Sequence, residues 1–245
     1  MFKKRDFRFS SEITVLAVSA GLLCFSMSYW QYTRYVGKRD YEVTLERQAA
    51  LGVRTFDQTR TDWSDLLHGA TRLRGVFDHE RQMVLINRSM HEQTGVKLVT
   101  PLKIEGSERH ILVDRGFAPY DLYVGDQREL NKLPGLQTVE GILRPSQTKQ
   151  FFLAPPERVP PDHAWKERWF RLDIAVMGEV LPYELLPVYV EQTNQPGPWP
   201  VHNPRAVVPS ARHLNYTIQW LSFGTFSLFF GFYLQFRKRP AGKPN

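Results

Sequence analysis

Two uncharged apolar runs, Ile13–Trp30 and Leu214–Phe236, constrain this chain more than any other feature of it. A helix of ~20 apolar residues crosses a hydrocarbon core of roughly 30 Å, and each run is of about that size. The stretch between them is long enough for one ordinary domain. The expected fold is therefore an α+β membrane protein, with two transmembrane helices flanking a mainly β extramembrane domain, either a small barrel or a sandwich. The implied divisions are a tail over 1–12, a first span over 13–30, a domain over 52–209, a second span over 210–236 and a tail over 237–245.

Charge sets the expected orientation. The formal net charge is +7. Lys3, Lys4, Arg5 and Arg8 precede the first run, and Arg237, Lys238, Arg239 and Lys243 follow the second, opposed there only by Asp6 and Glu12. Basic residues concentrate on the cytoplasmic side of membrane spans, so both termini are expected in the cytoplasm and the domain in the periplasm. Arg34, Lys38 and Arg39 follow the first run, but a long domain is translocated largely regardless of such charges. This layout suits a bacterial inner membrane rather than a mitochondrial one, with the lipid bilayer as an obligatory partner. The domain keeps too little basic excess for nucleic acid.

A cleavable signal is the rival reading of the first run. Val18-Ser19-Ala20 resembles a cleavage site, but only Ile13–Ala17 stand before it, short of an apolar core of ~7–15 residues. Ser26-Met27-Ser28 is better placed, yet the run continues to Trp30, so an uncleaved anchor is expected. The single cysteine, Cys24, lies inside this run, which leaves the domain no disulfide and no thiolate chemistry.

Helical spacing of Tyr32, Tyr35, Val36, Val43, Leu45, Ala49 and Ala50 predicts that the first helix continues to about Leu51, with Gly37 as its weak point. Strand-like runs follow at Leu73–Phe77, Gln82–Asn87, Val96–Ile104, His110–Phe117, Thr138–Leu143 and Pro187–Thr193, and short helices are expected over Gln127–Leu133 and Asp173–Leu181. Leu85-Ile86-Asn87-Arg88 and Leu112-Val113-Asp114-Arg115 share a pattern that reads as two similar strand ends.

No phosphate loop, nucleophile elbow or zinc-protease motif occurs, and no acid–base pair stands out, so the chain is expected not to be an enzyme. Among seven histidines, none is spaced for a local di-histidine metal site. His213 is singled out by position, at the start of the second run. Tyr216, Gln219, Trp220 and Phe223 follow it on broadly one helical face. Such a stripe could hold haem iron, but an interfacial aromatic belt accounts for the same residues, and position alone favours the belt. The first run presents Trp30, Gln31 and Arg34 at a matching level, where Arg34 suits a propionate or a lipid headgroup, or simply snorkels.

A resemblance sharpens this. Trp30-Gln31-x-x-Arg34-x-x-x-Lys38, Arg74-Gly75-Val76-Phe77-Asp78, Gly95-x-x-Leu98-Val99-Thr100-Pro101-Leu102, Leu112-Val113-Asp114-Arg115-Gly116-Phe117-Ala118-Pro119, Val139-Glu140-Gly141-Ile142-Leu143-Arg144 and His213-Leu214-x-Tyr216-x-x-Gln219-Trp220 occur in this order over nearly the whole chain. Together with the flanking runs they resemble the surfeit locus protein 1 family, which assists assembly of cytochrome c oxidase. Ser28 departs from the family's usual Gly, and Phe117 from its common Trp. The resemblance implies a role in bringing haem a to the oxidase's catalytic subunit. Partners would be that subunit and haem a synthase. It also implies His213 as axial ligand to the iron, Arg34 and Gln31 near the propionates, and Trp30, Tyr216, Gln219 and Trp220 around the macrocycle. The rival is a structural adaptor that binds no haem.

Overall fold

The computed structural model describes residues 5–124, 132–148, 157–202 and 209–238. Most of the helix expected over Gln127–Leu133 falls outside them, as do Lys3, Lys4 and the tail beyond Lys238. In chain order the elements are β1 (Arg5–Phe7), α1 (Ser11–Ala50), β2 (Arg54–Thr55), β3 (Ala70–Phe77), β4 (Met83–Met90), β5 (Gln93–Ile104), β6 (His110–Pro119), α2 (Tyr120–Val124), β7 (Leu136–Pro145), β8 (Arg168–Trp169), α3 (Ile174–Gly178), β9 (Leu185–Gln192), α4 (Ser210–Leu234) and β10 (Phe236–Lys238). They fall into two compact units, Thr44–Arg205 and the two flanking segments together.

The central unit is a barrel. Its strands run in the order β3-β7-β9-β6-β5, and β5 pairs back onto β3 to close the ring. All neighbours in the ring are antiparallel except β6 and β9, which run parallel. The interior follows from a period of two along each strand. Leu73 and Phe77 of β3, Leu102 and Ile104 of β5, Ile111 and Val113 of β6, Val139 and Leu143 of β7, and Leu186, Val188 and Val190 of β9 make one buried cluster. A second cluster on the outer face packs Trp169, Leu172, Ile174 and Met177 over Met83, Val99, Leu112 and Tyr189. The runs expected as strands lie on strands of this sheet except for their end residues Gln82 and Thr193, and the helix expected at Asp173–Leu181 is the shorter α3, with Asp173 at its N-cap position.

Closure needs a residue without a side chain. Gly75 lies on the β3–β5 seam, opposite Ile104, and a Cβ there would collide with the Lys103 carbonyl and the Leu102 side chain. Barrel corners commonly use glycine for this reason.

The two Asx-Arg quartets are not strand ends. Both sit inside strands, at irregularities of the pairing with β5: one between Leu85 and Arg88 of β4, the other where Gly116 and Asp114 of β6 face Leu98 and Val99, leaving Arg115 as the extra residue. Asn87 and Gly116 take the left-handed backbone these bulges require, with φ of 57° and 113°. The second bulge carries Arg115 into a buried position, where its guanidinium donates to Gln82 Oε1 at 3.2 Å and lies 5.2 Å from the Phe77 ring centroid. Burial lowers its pKa to about 10, so it remains a cation at neutral pH.

The flanking unit is an antiparallel helix pair with a short strand pair at its end. α1 contains a stretch long and apolar enough to cross a membrane. α4 has 25 residues, and Arg212, His213, Asn215, Thr217 and Gln219 make its first turns polar. Small residues let the two backbones approach. A Cβ on Gly224 would meet the Phe25 ring, and one on Gly231 would meet Ala17. Ser227 Oγ donates to the Ala17 carbonyl at 3.2 Å. Close packing through small residues is the usual basis of helix association in lipid. Many outward residues of both helices, among them Leu16, Leu22, Leu23, Phe226 and Phe229, are exposed apolar surface of the kind that lipid covers.

Two glycines should respond oppositely to the same change. Gly75→Ala forces the barrel seam apart and is expected to cost about 1–3 kcal/mol. Gly37 of α1 has open space around it, so Gly37→Ala is expected to stabilise the helix by about 0.5–1 kcal/mol. Thermal denaturation of the purified full chain, followed by circular dichroism, measures both.

Candidate functional site

The residues that the sequence singles out at the two span ends meet on the helix pair. His213, in the first turn of α4, bonds through Nδ1 to Gln31 Oε1 of α1 at 2.8 Å. The amide oxygen only accepts, so this contact selects the tautomer with the proton on Nδ1, in which Nε2 keeps its lone pair. One turn further along each helix, Ser28 Oγ donates to the Thr217 carbonyl at 2.9 Å, and Thr217 Oγ1 donates to the His213 carbonyl at 2.9 Å. Ser28 is buried against α4, so this departure from glycine adds an interhelical hydrogen bond while remaining small enough for close packing.

A third rung was not foreseen from the sequence. Glu42 of α1 accepts the Ser210 N–H at 2.7 Å and the Ser210 hydroxyl at 2.6 Å. It caps the exposed N–H end of α4, where the helix dipole favours a negative charge. These bonds from Ser210, with Arg39 nearby, hold the Glu42 carboxyl below its ordinary range. Pro209-Ser210 does mark a helix start in the sequence, but nothing there names a distant glutamate as its cap.

The remaining predicted residues are distributed around this centre. Arg34 lies with its guanidinium carbon 5.4 Å from the Trp30 ring centroid, stacking rather than extending freely. Trp30 and Tyr216 are 47% and 45% exposed, open enough to meet a flat apolar ligand or lipid. Trp220 packs edge-on against Phe223, ring centroids 6.0 Å apart. The contact stripe of Ala17, Gly21 and Ser28 on α1 faces Thr217, Gly224 and Gly231 on α4. From it, helical periodicity sets Gln31 and Arg34 on one flank of α1 and Tyr216 and Trp220 on the matching flank of α4. Gln219 is not brought to His213. It is six residues on, roughly 240° around the helix, and is exposed with no hydrogen bond among the described residues.

Histidines of the barrel do other work. His68 Nδ1 accepts from Arg144 at 3.1 Å, His79 Nε2 accepts the Leu133 N–H at 2.9 Å, and the His110 ring stacks on Tyr183 with centroids 3.7 Å apart. Burial lowers the pKa of all three, with Arg144 adding to the effect at His68. Arg144 also bonds Glu191 at 2.9 Å, and Lys97 bonds Asp114 at 2.8 Å, forming a buried charge row across β5, β6, β9 and β7. Among the described residues no group of three or more His, Cys, Asp or Glu could hold a metal ion.

Comparison with known proteins now bears on this geometry. The sequence pattern of the SURF1 family matches residues 18–225. The chain belongs to the SURF1 family. A SURF1-like protein of Monosiga brevicollis is 24% identical over 224 residues, covering 86% of this chain and 83% of that one. Surfeit locus protein 1 of Homo sapiens is 24% identical over 238 residues, 90% of this chain and 75% of the human protein. A SURF1-like protein of Drosophila melanogaster is 24% identical over 234 residues, 88% and 74% respectively. The matched span includes most of each helix of the pair, and His213, Gln31, Ser28 and Thr217 all fall inside it.

His68, His79 and His110, the first two half-buried and the third buried, give the barrel a defined pH response. Their folded pKa values lie below the ordinary 6.5, so the unfolded chain binds more protons than the folded one between those values. Their stabilising contribution is complete above about pH 7 and is lost as pH falls through 6.5 and below. The thermal midpoint of the full chain, measured against pH, is expected to decline over that window, and His68→Gln to flatten part of the slope.

Proposed function

We propose that this chain is a membrane-anchored assembly factor for a haem–copper cytochrome c oxidase, and that it holds haem a through His213 for transfer to the catalytic subunit. The observation that carries this reading is the His213–Gln31 hydrogen bond, 2.8 Å across the helix pair. Imidazoles that ligate metal commonly donate their other nitrogen to a neighbouring oxygen, which fixes the tautomer and the ring plane. A free interfacial histidine needs no such partner. Membership of the SURF1 family supports the same role.

The chain's residues suit haem a by class of contact. Nε2 of His213 would hold the haem iron, with Trp30, Tyr216 and Trp220 as apolar flanks. Arg34 is a cation for a propionate, reached by leaving the Trp30 face. Gln31 serves the histidine through Oε1, which leaves its amide N–H groups for a propionate. Bound haem would supply the iron and its redox chemistry. The protein orients, shields and releases it, with no catalytic step of its own. Exposed Trp30 and Tyr216 fit a carrier that must let its cargo go.

In this reading α4 is a second span, both termini are cytoplasmic, and the barrel stands in the periplasm of a bacterial inner membrane. The oxidase's catalytic subunit and haem a synthase are the proposed partners. The polar first turns of α4 then sit at the outer boundary, where propionates and headgroups meet water.

Absorption spectroscopy on the full chain, purified from cells that make haem a, tests the proposal. The wild type is expected to carry a haem a spectrum. His213→Ala is expected to lose it, and Gln31→Leu to retain less than half. Haem absent from the wild type, with oxidase assembly still dependent on the protein, would replace the carrier by a structural adaptor.

A further inference from the structure

We infer that Glu42 is a positioning residue for His213: its grip on the start of α4 sets the orientation in which the imidazole meets Gln31. The consequence for haem rests on the carrier role, whereas the orientation of the imidazole does not.

α4 begins without a cap of its own. Pro209 stands at its N-cap position, and its side chain makes no capping hydrogen bond because it has no atom that could. The first N–H groups of a helix have no partner within it, and here they belong to Ser210, Ala211 and Arg212, the three residues before His213. Arg212 N–H reaches the Pro209 carbonyl at 3.2 Å. Helix ends so sparsely tied tend to fray, and fraying here would run straight into His213.

Glu42 supplies the missing cap from another helix. One carboxylate oxygen accepts the Ser210 N–H at 2.7 Å and the other accepts the Ser210 hydroxyl at 2.6 Å. Ser210 is buried in this grip, and the Arg39 guanidinium, 3.6 Å away, steadies the carboxylate. Gln31 and Glu42 are separated by about three full turns of α1, so they share a face, roughly 16 Å apart along the axis. Ser210 and His213 are separated by less than one turn of α4, about 4.5 Å. α1 therefore returns twice to the same turn of α4, holding its backbone through Glu42 and its imidazole through Gln31. The Ser28–Thr217 bond ties the turn on the other side. His213 lies between these two ties, and the rotamers open to its ring follow the backbone that they fix.

This role depends on geometry rather than charge. A glutamine at the same place could accept the Ser210 N–H through its carbonyl and donate its amide to the Ser210 hydroxyl oxygen. A cap built into α4 itself could satisfy the N–H groups but could not hold the helix to α1. The two functions of Glu42 are therefore separable.

Nitrogen-15 NMR of the haem-free full chain, with His213 assigned by its absence in His213→Ala, tests the inference beside thermal denaturation. Glu42→Ala is expected to change the His213 ring signals as Gln31→Leu does, and to lower the thermal midpoint. Glu42→Gln is expected to keep the wild-type signals. Adding Pro209→Asp to Glu42→Ala restores a local cap, so the midpoint should recover while the His213 signals stay altered. In the chain loaded with haem a, Glu42→Ala should release it about fivefold faster, the fold-change that corresponds to a lost helix cap of ~1 kcal/mol. His213 signals unchanged in Glu42→Ala, or restored by Pro209→Asp, would reduce Glu42 to a helix cap and overturn the inference. A wild type that takes up no haem a would overturn the carrier role alone, because the haem-free signals still decide the role of Glu42.

Discussion

Close approach of α1 and α4 is the constraint on which the candidate site depends. Glycine and alanine occupy the middle of the contact, so the backbones come near enough for short polar side chains to bridge them. Polar rungs then occupy the ends: Glu42 with Ser210, Gln31 with His213 and Ser28 with Thr217 toward one end, and Gln235 with Ser10 and Thr14 at the other. Hydrogen bonds at low dielectric are directional and costly to leave unmade, so together these rungs fix the register of one helix against the other. Register is what a positioned imidazole requires. A slip of one residue would turn Gln31 away from His213 by about 100°.

The barrel solves a different problem with different chemistry. Without disulfides it relies on apolar clusters, the largest filling the ring and two smaller ones packed beside it. Its polar interior features are few and well placed. The bulge at Asp114-Arg115-Gly116 brings a guanidinium beside Gln82 and the Phe77 ring, and the charge row from Lys97 to Arg144 balances two cations with two carboxylates.

Much of the secondary structure was legible in the sequence because it rests on short-range periodicity. The helix running past Trp30 ends at Ala50, and the period-two runs lie on strands apart from single residues at two of their ends. What could not be read was long-range. The β3–β5 pairing that separates a barrel from a sandwich joins residues far apart in sequence, and no short-range pattern reports it. The Asx-Arg quartets looked like strand ends because turn-forming residues also make bulges. On α4, the aromatic stripe was drawn wide enough to include Gln219, although six residues carry it to another side of the helix. Glu42 and Ser28 escaped notice as site residues because helical spacing says which face a side chain takes, and not which neighbour it meets there.

The central claim is that Gln31 holds His213 with Nδ1 protonated, so that Nε2 is ready to ligate. Nitrogen-15 NMR of the histidine rings in the haem-free full chain, with His213 assigned by its absence in His213→Ala, measures this directly. The account predicts a His213 whose Nδ1 bears the proton and whose Nε2 resonates as an unprotonated nitrogen, and whose signals change in Gln31→Leu. A proton found on Nε2, or a spectrum indifferent to Gln31→Leu, would contradict it.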